Sequence, residues 1–332
     1  MSFDDLPKMP PLLLPGAPEY AARILALSKE VAAKHRTVMD VAYGPDYWQK
    51  VDFYLPDDRK AKGVPVLVFI HGGAWRNGFK EWMGFQAPVI IDLPAIFVSV
   101  SYRLAPDTKF PAILEDCVDA LKLVWDKVGA MGGDKNRIFI GGHSAGGHLS
   151  AAVALRRDLS LARGMPANVI KGCFPVSGIY DFRLEAVAPG TVMERIHNQV
   201  FHDPLKAPGM SPICHVKGNT TPFYVSWGGK DLPESIAQSE PFVRALKKER
   251  GRVDSYVFPG MGHFEANMDL DRRESPWVET VRAWLTTIAT GAKKKKPTRK
   301  AKRRVIAARP RRTKTATRTQ ARRTTKRAKR RR

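Results

Sequence analysis

The sequence predicts an α/β fold: a mainly parallel central sheet with helices on both faces, a short insertion over one edge and a basic C-terminal tail. Two observations predict it. Short, continuously apolar runs recur between residues 64 and 258, and apolarity without alternation marks strands buried on both faces. Segments of helical length and period separate these runs, and strands alternating with helices give parallel sheets.

Taken in order, residues 1–17 are Pro-rich and predict an extended arm over the surface. Tyr20, Ile24, Leu27 and Val31 are spaced as one face of an amphipathic helix over about 18–36. Val38–Ala42 and Lys50–Leu55 alternate, as the edge strands of a hairpin do. The buried strands follow at Val64–Ile70, Ala95–Val100, Arg137–Ile140, Val169–Val176, Pro222–Trp227 and Val253–Phe258. Helical periods fill about 110–131, 144–158, 233–250 and 275–290. Residues 182–213 interrupt the rhythm with Pro189, Gly190, Pro204, Pro208 and Gly209. They predict a lid-like insertion over the carboxyl ends of the strands, where ligands bind in open α/β sheets. Residues 1–292, insertion included, are expected to form one domain ahead of the basic tail.

Composition narrows the class. A chain of 332 residues buries enough surface to need neither disulfide nor structural metal. Cys117, Cys173 and Cys214 are widely spaced and odd in number, as free buried thiols in a reducing compartment would be. The N-terminus places acids where a secretory leader needs bases, and no apolar stretch approaches a membrane span. A soluble, cytoplasmic protein is expected. The net charge of +24 is not spread evenly: residues 293–332 hold 22 of the 56 Lys and Arg and none of the 32 Asp and Glu. The remaining 34 bases face 32 acids, so the folded part is nearly neutral.

Gly142-His143-Ser144-Ala145-Gly146 follows one buried strand and precedes a helical stretch. A nucleophilic serine needs that sharp strand-to-helix turn, with small neighbours on both sides. The helix that begins there directs its positive end at charge developing near Ser144. His71-Gly72-Gly73-Ala74-Trp75 follows the strand ending at Ile70. Acyl transfer puts negative charge on a carbonyl oxygen, and fixed backbone amides stabilise it. Gly73 and Ala74 are assigned as donors with Ala145, and Gly72 is an alternative to one of them. A serine needs a base that titrates near neutrality. Of eight histidines, His263 alone lies after the last strand and ahead of the final helix, while His71 and His143 read as structural. The acid that orients the base should follow a strand between Ser144 and His263. Asp231 meets that condition, with Asp181 as competitor one strand earlier; Glu234 and Asp254 read as solvated surface charges. Trp75 and Tyr180 are the expected substrate contacts, with Trp82, Phe85 and Trp227 as further candidates for an apolar pocket.

HGGAW, Ser101-Tyr102-Arg103-Leu104-Ala105-Pro106 and GHSAGGH together resemble the hormone-sensitive-lipase and arylformamidase branch of the α/β-hydrolases over about residues 40–290. His71–Trp75, Gly142–His148 and Ser177–Asp181 are especially similar to kynurenine formamidase. The resemblance implies hydrolysis of a carboxylic ester or N-formyl amide of a small molecule through an acyl-enzyme, with no metal or cofactor. Arg103 resembles the esterase side, so both substrate classes stay open.

Residues 293–332 have only Val305 and Ile306 as sizeable apolar side chains, a composition that predicts disorder. Such a run suits a polyanion, nucleic acid in particular, bound without sequence preference and drawing the protein to a nucleoid. The competing class is therefore a nucleic-acid-binding protein with a vestigial or tethered hydrolase domain.

Overall fold

Val64–Ile70 (β3) is buried at every residue and forms the middle of an eight-stranded sheet. The computed structural model describes residue 3 and residues 5–287. The basic tail, expected to be disordered, lies outside the described residues. Around β3 the strands are β1 (Arg36–Ala42), β2 (Lys50–Leu55), β4 (Ile96–Val100), β5 (Gly133–His143), β6 (Ile170–Val176), β7 (Phe223–Gly228) and β8 (Val253–Phe258), in the order β1-β2-β4-β3-β5-β6-β7-β8. From β4 to β8 every pairing is parallel; β1 and β2 are antiparallel to their neighbours.

The helices are α1 (Ala17–Lys34), α2 (Pro88–Ile91), α3 (Ala112–Lys127), α4 (Ala145–Leu155), α5 (Arg157–Ala162), α6 (Val192–Val200), α7 (Ala207–Met210), α8 (Pro233–Leu246), α9 (His263–Met268) and α10 (Pro276–Thr287). Side chains alternate across β3 and divide the core in two. Val66, Val68 and Ile70 pack with residues of α3, α4 and α8, such as Leu121, Leu149 and Phe242. Leu67 and Phe69 pack with Ile24 of α1 and with Trp277, Val281 and Trp284 of α10. Helices thus cover both faces, as the pattern of the sequence requires.

Three expectations need correction. Of the predicted hairpin only β1 is an edge strand, because β2 also pairs with β4. β5 starts at Gly133, before the apolar run, since its first residues are only partly covered and need not be apolar. Cys214 is exposed, whereas Cys117 and Cys173 are buried. The sequence pattern also assigned no element to residues 80–91, which form two 3-10 turns and α2. Their anchor is charged: Lys80 Nζ lies 2.9 Å from both Asp40 and Asp52 and 2.5 Å from Glu81, with only 3% of its side chain exposed. Among the described residues, no helix is long and apolar enough to cross a membrane.

Because β3 and β5–β8 run parallel, their carboxyl ends share one edge of the sheet. His71, Ser144, Ser177, Asp231 and His263 all follow those ends directly or within a few residues.

Candidate active site

Ser144 sits between the last residue of β5 and the first of α4, with φ 57° and ψ −118°. That backbone is costly for a residue with a side chain, of order 1–3 kcal/mol, and persists only where the surroundings enforce it. Here they do. The Ser144 amide donates to Val176 O at 2.9 Å. A Cβ on Gly146 would meet Ile70 O at 2.0 Å, and one on Gly142 would meet Gly146 O at 2.3 Å. Glycine at both positions lets the turn press against the end of β3, which holds the serine hydroxyl above the strand ends.

His263 opens α9 and bridges the other two groups. The Ser144 hydroxyl donates to His263 Nε2 at 2.9 Å, and His263 Nδ1–H donates to Asp231 Oδ1 at 2.6 Å. Asp231 is buried, which by itself raises its pKa. Its bonds with His263, with the Ser177 hydroxyl at 2.5 Å and with the Gly228 amide at 2.9 Å overcome burial and hold it at about 2. The carboxylate therefore stays charged and locks the imidazole with Nε2 free to accept a proton. Sequence reasoning missed Ser177 as a partner of this carboxylate; its own φ of 53° is the backbone signature of the turn that aims it.

The loop after β3 carries consecutive left-handed residues, with φ 111° at Gly73, 55° at Ala74 and 58° at Trp75. A Cβ on Gly72 would come within 3.1 Å of Ser144 Cβ, so this loop adjoins the hydroxyl directly. None of the amides of Gly73, Ala74 and Ala145 donates to another protein group among the described residues. Donors left in that condition beside the Ser144 hydroxyl are of the kind that stabilises a developing oxyanion.

A cavity of about 110 Å³ opens onto Ser144 and His263. Gly73, Ala74 and Trp75 form one side, and Ile179, Val192, Met193 and Ile196 line another, so the 182–213 insertion does cover the strand ends. Trp82 lines the cavity too, but Phe85 and Trp227 are core residues outside it. Tyr180 is likewise outside the lining: it is fully buried and stacks on Phe242 at 4.1 Å. Its position next to a motif suggested a contact, but its ring packs on Phe242 instead of facing the cavity. Glu234, read as a surface charge, lines the cavity instead. Asp181 is paired with Arg183 at 2.6 Å, away from the imidazole. Sequence reasoning missed Leu12–Leu14, Tyr20, Asn77 and Phe264, all on the wall. The signal was present in an unbroken Leu12-Leu13-Leu14 between prolines, which would be costly to leave in water.

Three further histidines around the site, His71, His143 and His148, are held neutral. His71 stacks on Tyr102 at 4.4 Å, and burial lowers its pKa to about 4. His143 donates through Nε2 to His263 O at 2.9 Å and is lowered by burial and by His263 to about 3. His148 accepts from Trp75 Nε1 at 3.2 Å and donates through Nε2 to Met210 O at 2.8 Å; burial lowers it to about 4.

Residues 51–246 match the BD-FAE family model. The chain is 33% identical to the esterase LipC of Mycobacterium tuberculosis over 70% of its own length and 61% of that protein's. It is 31% identical to the kynurenine formamidase of Danio rerio, over 69% of this chain and 75% of that one. The chain spans about three fifths of the length of the first curated relatives it matches. Among solved structures, a hyperthermophilic esterase from Pyrobaculum calidifontis superposes with a TM-score of 0.66 at 26% identity, covering 82% of this chain and 92% of that chain.

Proposed function

Because the chain belongs to the BD-FAE family, in the esterase and formamidase branch of the α/β-hydrolases, we propose that it is a serine hydrolase of small carboxylic esters or N-formyl and aryl amides. The observation that carries the proposal is the unbroken hydrogen-bond chain from Ser144 through His263 to Asp231. Ser144 Oγ attacks the substrate carbonyl while His263 Nε2 takes its proton, and Asp231 stabilises the imidazolium. The amides of Gly73, Ala74 and Ala145 receive the oxyanion. His263 then returns its proton to the leaving alcohol or amine, and the acyl-enzyme forms. Water attacks it with His263 as base, releasing the acid and restoring the serine.

Trp75 is a wall of the substrate site in this reading, fixed by its bond to His148. The relatives' names point to both ester and formamide substrates. Parallel assays of p-nitrophenyl acetate and N-formylkynurenine separate them. Turnover of the first alone marks a carboxylesterase, and strong preference for the second marks a formamidase. Inertness toward both contradicts the proposal.

A second reading rests on a different observation, the 22 basic residues in 293–332. We infer that this run binds a polyanion, nucleic acid in particular. If about ten charges meet phosphates, log K falls with log salt at a slope near −9. A chain truncated after residue 292 that binds DNA as tightly as the whole removes the idea. Under the stronger form, a nucleic-acid binder with a vestigial hydrolase, the full chain would turn over no ester or amide at all.

A further inference from the structure

The mechanism above leaves part of the cavity wall without a role, the N-terminal arm. Residues 9–13 belong to no helix or strand, yet Leu12, Leu13 and Leu14 line the cavity that opens on Ser144. A segment without internal hydrogen bonds stays in place only where its polar groups find partners elsewhere. Two partners hold this one, and both come from the loop after β3. Asn77 Nδ2 donates to Pro10 O at 2.7 Å, and the Gly78 amide lies 3.3 Å from Met9 Sδ.

Asn77 is buried, and its backbone amide donates in turn to Gly73 O at 2.9 Å. The two residues are so close that a Cβ on Gly73 would sit 2.1 Å from Asn77 O. One side chain therefore joins the arm to the loop that carries the proposed oxyanion donors. Pro10 and Pro11 assist, because their fixed φ keeps this stretch extended and Pro11 brings no amide to satisfy.

We propose that Asn77 is a positioning residue that sets the arm in register on the Gly73–Ala74 loop, so that Leu12–Leu14 form the surface against which the apolar chain of the substrate packs. The inference rests on the serine hydrolase reading and deepens it, because it assigns chain-length selectivity to a specific tether. A purely structural Asn77 would behave otherwise. Its loss would damage the donors of the loop and slow every substrate alike.

The experiment uses the full chain, Asn77→Ala, a variant lacking residues 1–14 and the combination of both. The substrates are p-nitrophenyl acetate and p-nitrophenyl octanoate. Limited trypsin cleavage after Lys8 reports the arm's attachment independently of catalysis. In Asn77→Ala the octanoate kcat/KM is expected to fall at least roughly tenfold further than the acetate value, and to do so through KM, the scale of a lost apolar contact. The truncated variant shows the same loss. Adding Asn77→Ala to it changes nothing further, since coupled sites are not additive. Cleavage after Lys8 accelerates in the substituted full chain. Equal losses on both esters, additive effects of the two changes, or unaltered cleavage after Lys8 each overturn the proposal. If the wild type hydrolyses neither these esters nor N-formylkynurenine, the serine hydrolase reading fails by itself, and the cleavage rates still decide the tether.

Discussion

The turn at Gly142–Gly146 and the cover formed by residues 9–14 and 182–213 face the same cavity but are built in opposite ways. The turn is held from several sides by strand ends: Ile70 O crowds Gly146, and Val176 O accepts from Ser144. The cover is held by a few contacts of loops and short helices, such as Asn77 to Pro10 and His148 to Met210. Under the proposed function, chemistry demands fixed atoms, so it sits where the sheet leaves the backbone no choice. The shape of the substrate demands only a fitted surface, so it falls to segments whose sequence can vary without disturbing the sheet. Substitutions in the turn and its partners should therefore lower kcat for all substrates, and substitutions in the cover should change KM for some.

Ser144→Ala is expected to have the largest effect, a loss of roughly 10⁶ in kcat for every ester and amide, with KM nearly unchanged. A substrate-dependent loss would break the distinction between the two regions. Asp231→Asn should cost about 10⁴ in kcat, because the imidazole loses the partner that fixes its tautomer. The Asp231 carboxylate also makes folding stability depend on pH. The folded pKa of about 2 lies below the ordinary carboxylate value, so its stabilising contribution is present above about pH 4 and fades as pH falls toward 2.

Ile196→Trp in the cover comes next. It should raise KM for bulky acyl chains by roughly tenfold and spare acetate, which a panel of p-nitrophenyl esters measures. The smallest effects concern stability. His71, His143 and His148 are buried neutral with pKa values lowered to about 4, 3 and 4. Their folded values lie below the ordinary histidine value, so unfolding takes up protons. Stability is full above about pH 6.5 and falls as pH drops, by up to about 1.4 kcal/mol per unit for each group. Urea midpoints at pH 7 and pH 5 measure this, and His148→Gln should flatten the slope by one group's share.

The same contrast explains what was legible in the sequence. β3 and β6 could be read within a residue, because strands buried on both faces must be apolar throughout; β8, expected as another buried strand, is an edge strand with only Phe258 buried. Ser144, Asp231 and His263 were legible because a parallel sheet brings the carboxyl ends of its strands to one edge, and each of the three follows such an end. Residues 80–91 were not legible, since a Lys80 satisfied by its neighbour Glu81 and two distant carboxylates looks like any surface lysine. Tyr180 failed as a contact for the complementary reason: position beside a motif says nothing of which way a ring turns, and this one stacks inward on Phe242. The arm was read as a surface segment, but its place over Ser144 depends on Asn77, nearly seventy residues away in the chain.

The central claim is that the hydroxyl of Ser144 is made nucleophilic by His263. The direct measurement is active-site labelling with a fluorophosphonate, followed by mass spectrometry of the modified peptide, on the wild type, Ser144→Ala and His263→Ala. The account requires one phosphonyl group on Ser144 in the wild type, none in Ser144→Ala and labelling slowed by orders of magnitude in His263→Ala. Modification of a different residue, or labelling of Ser144 at an undiminished rate without His263, would contradict it.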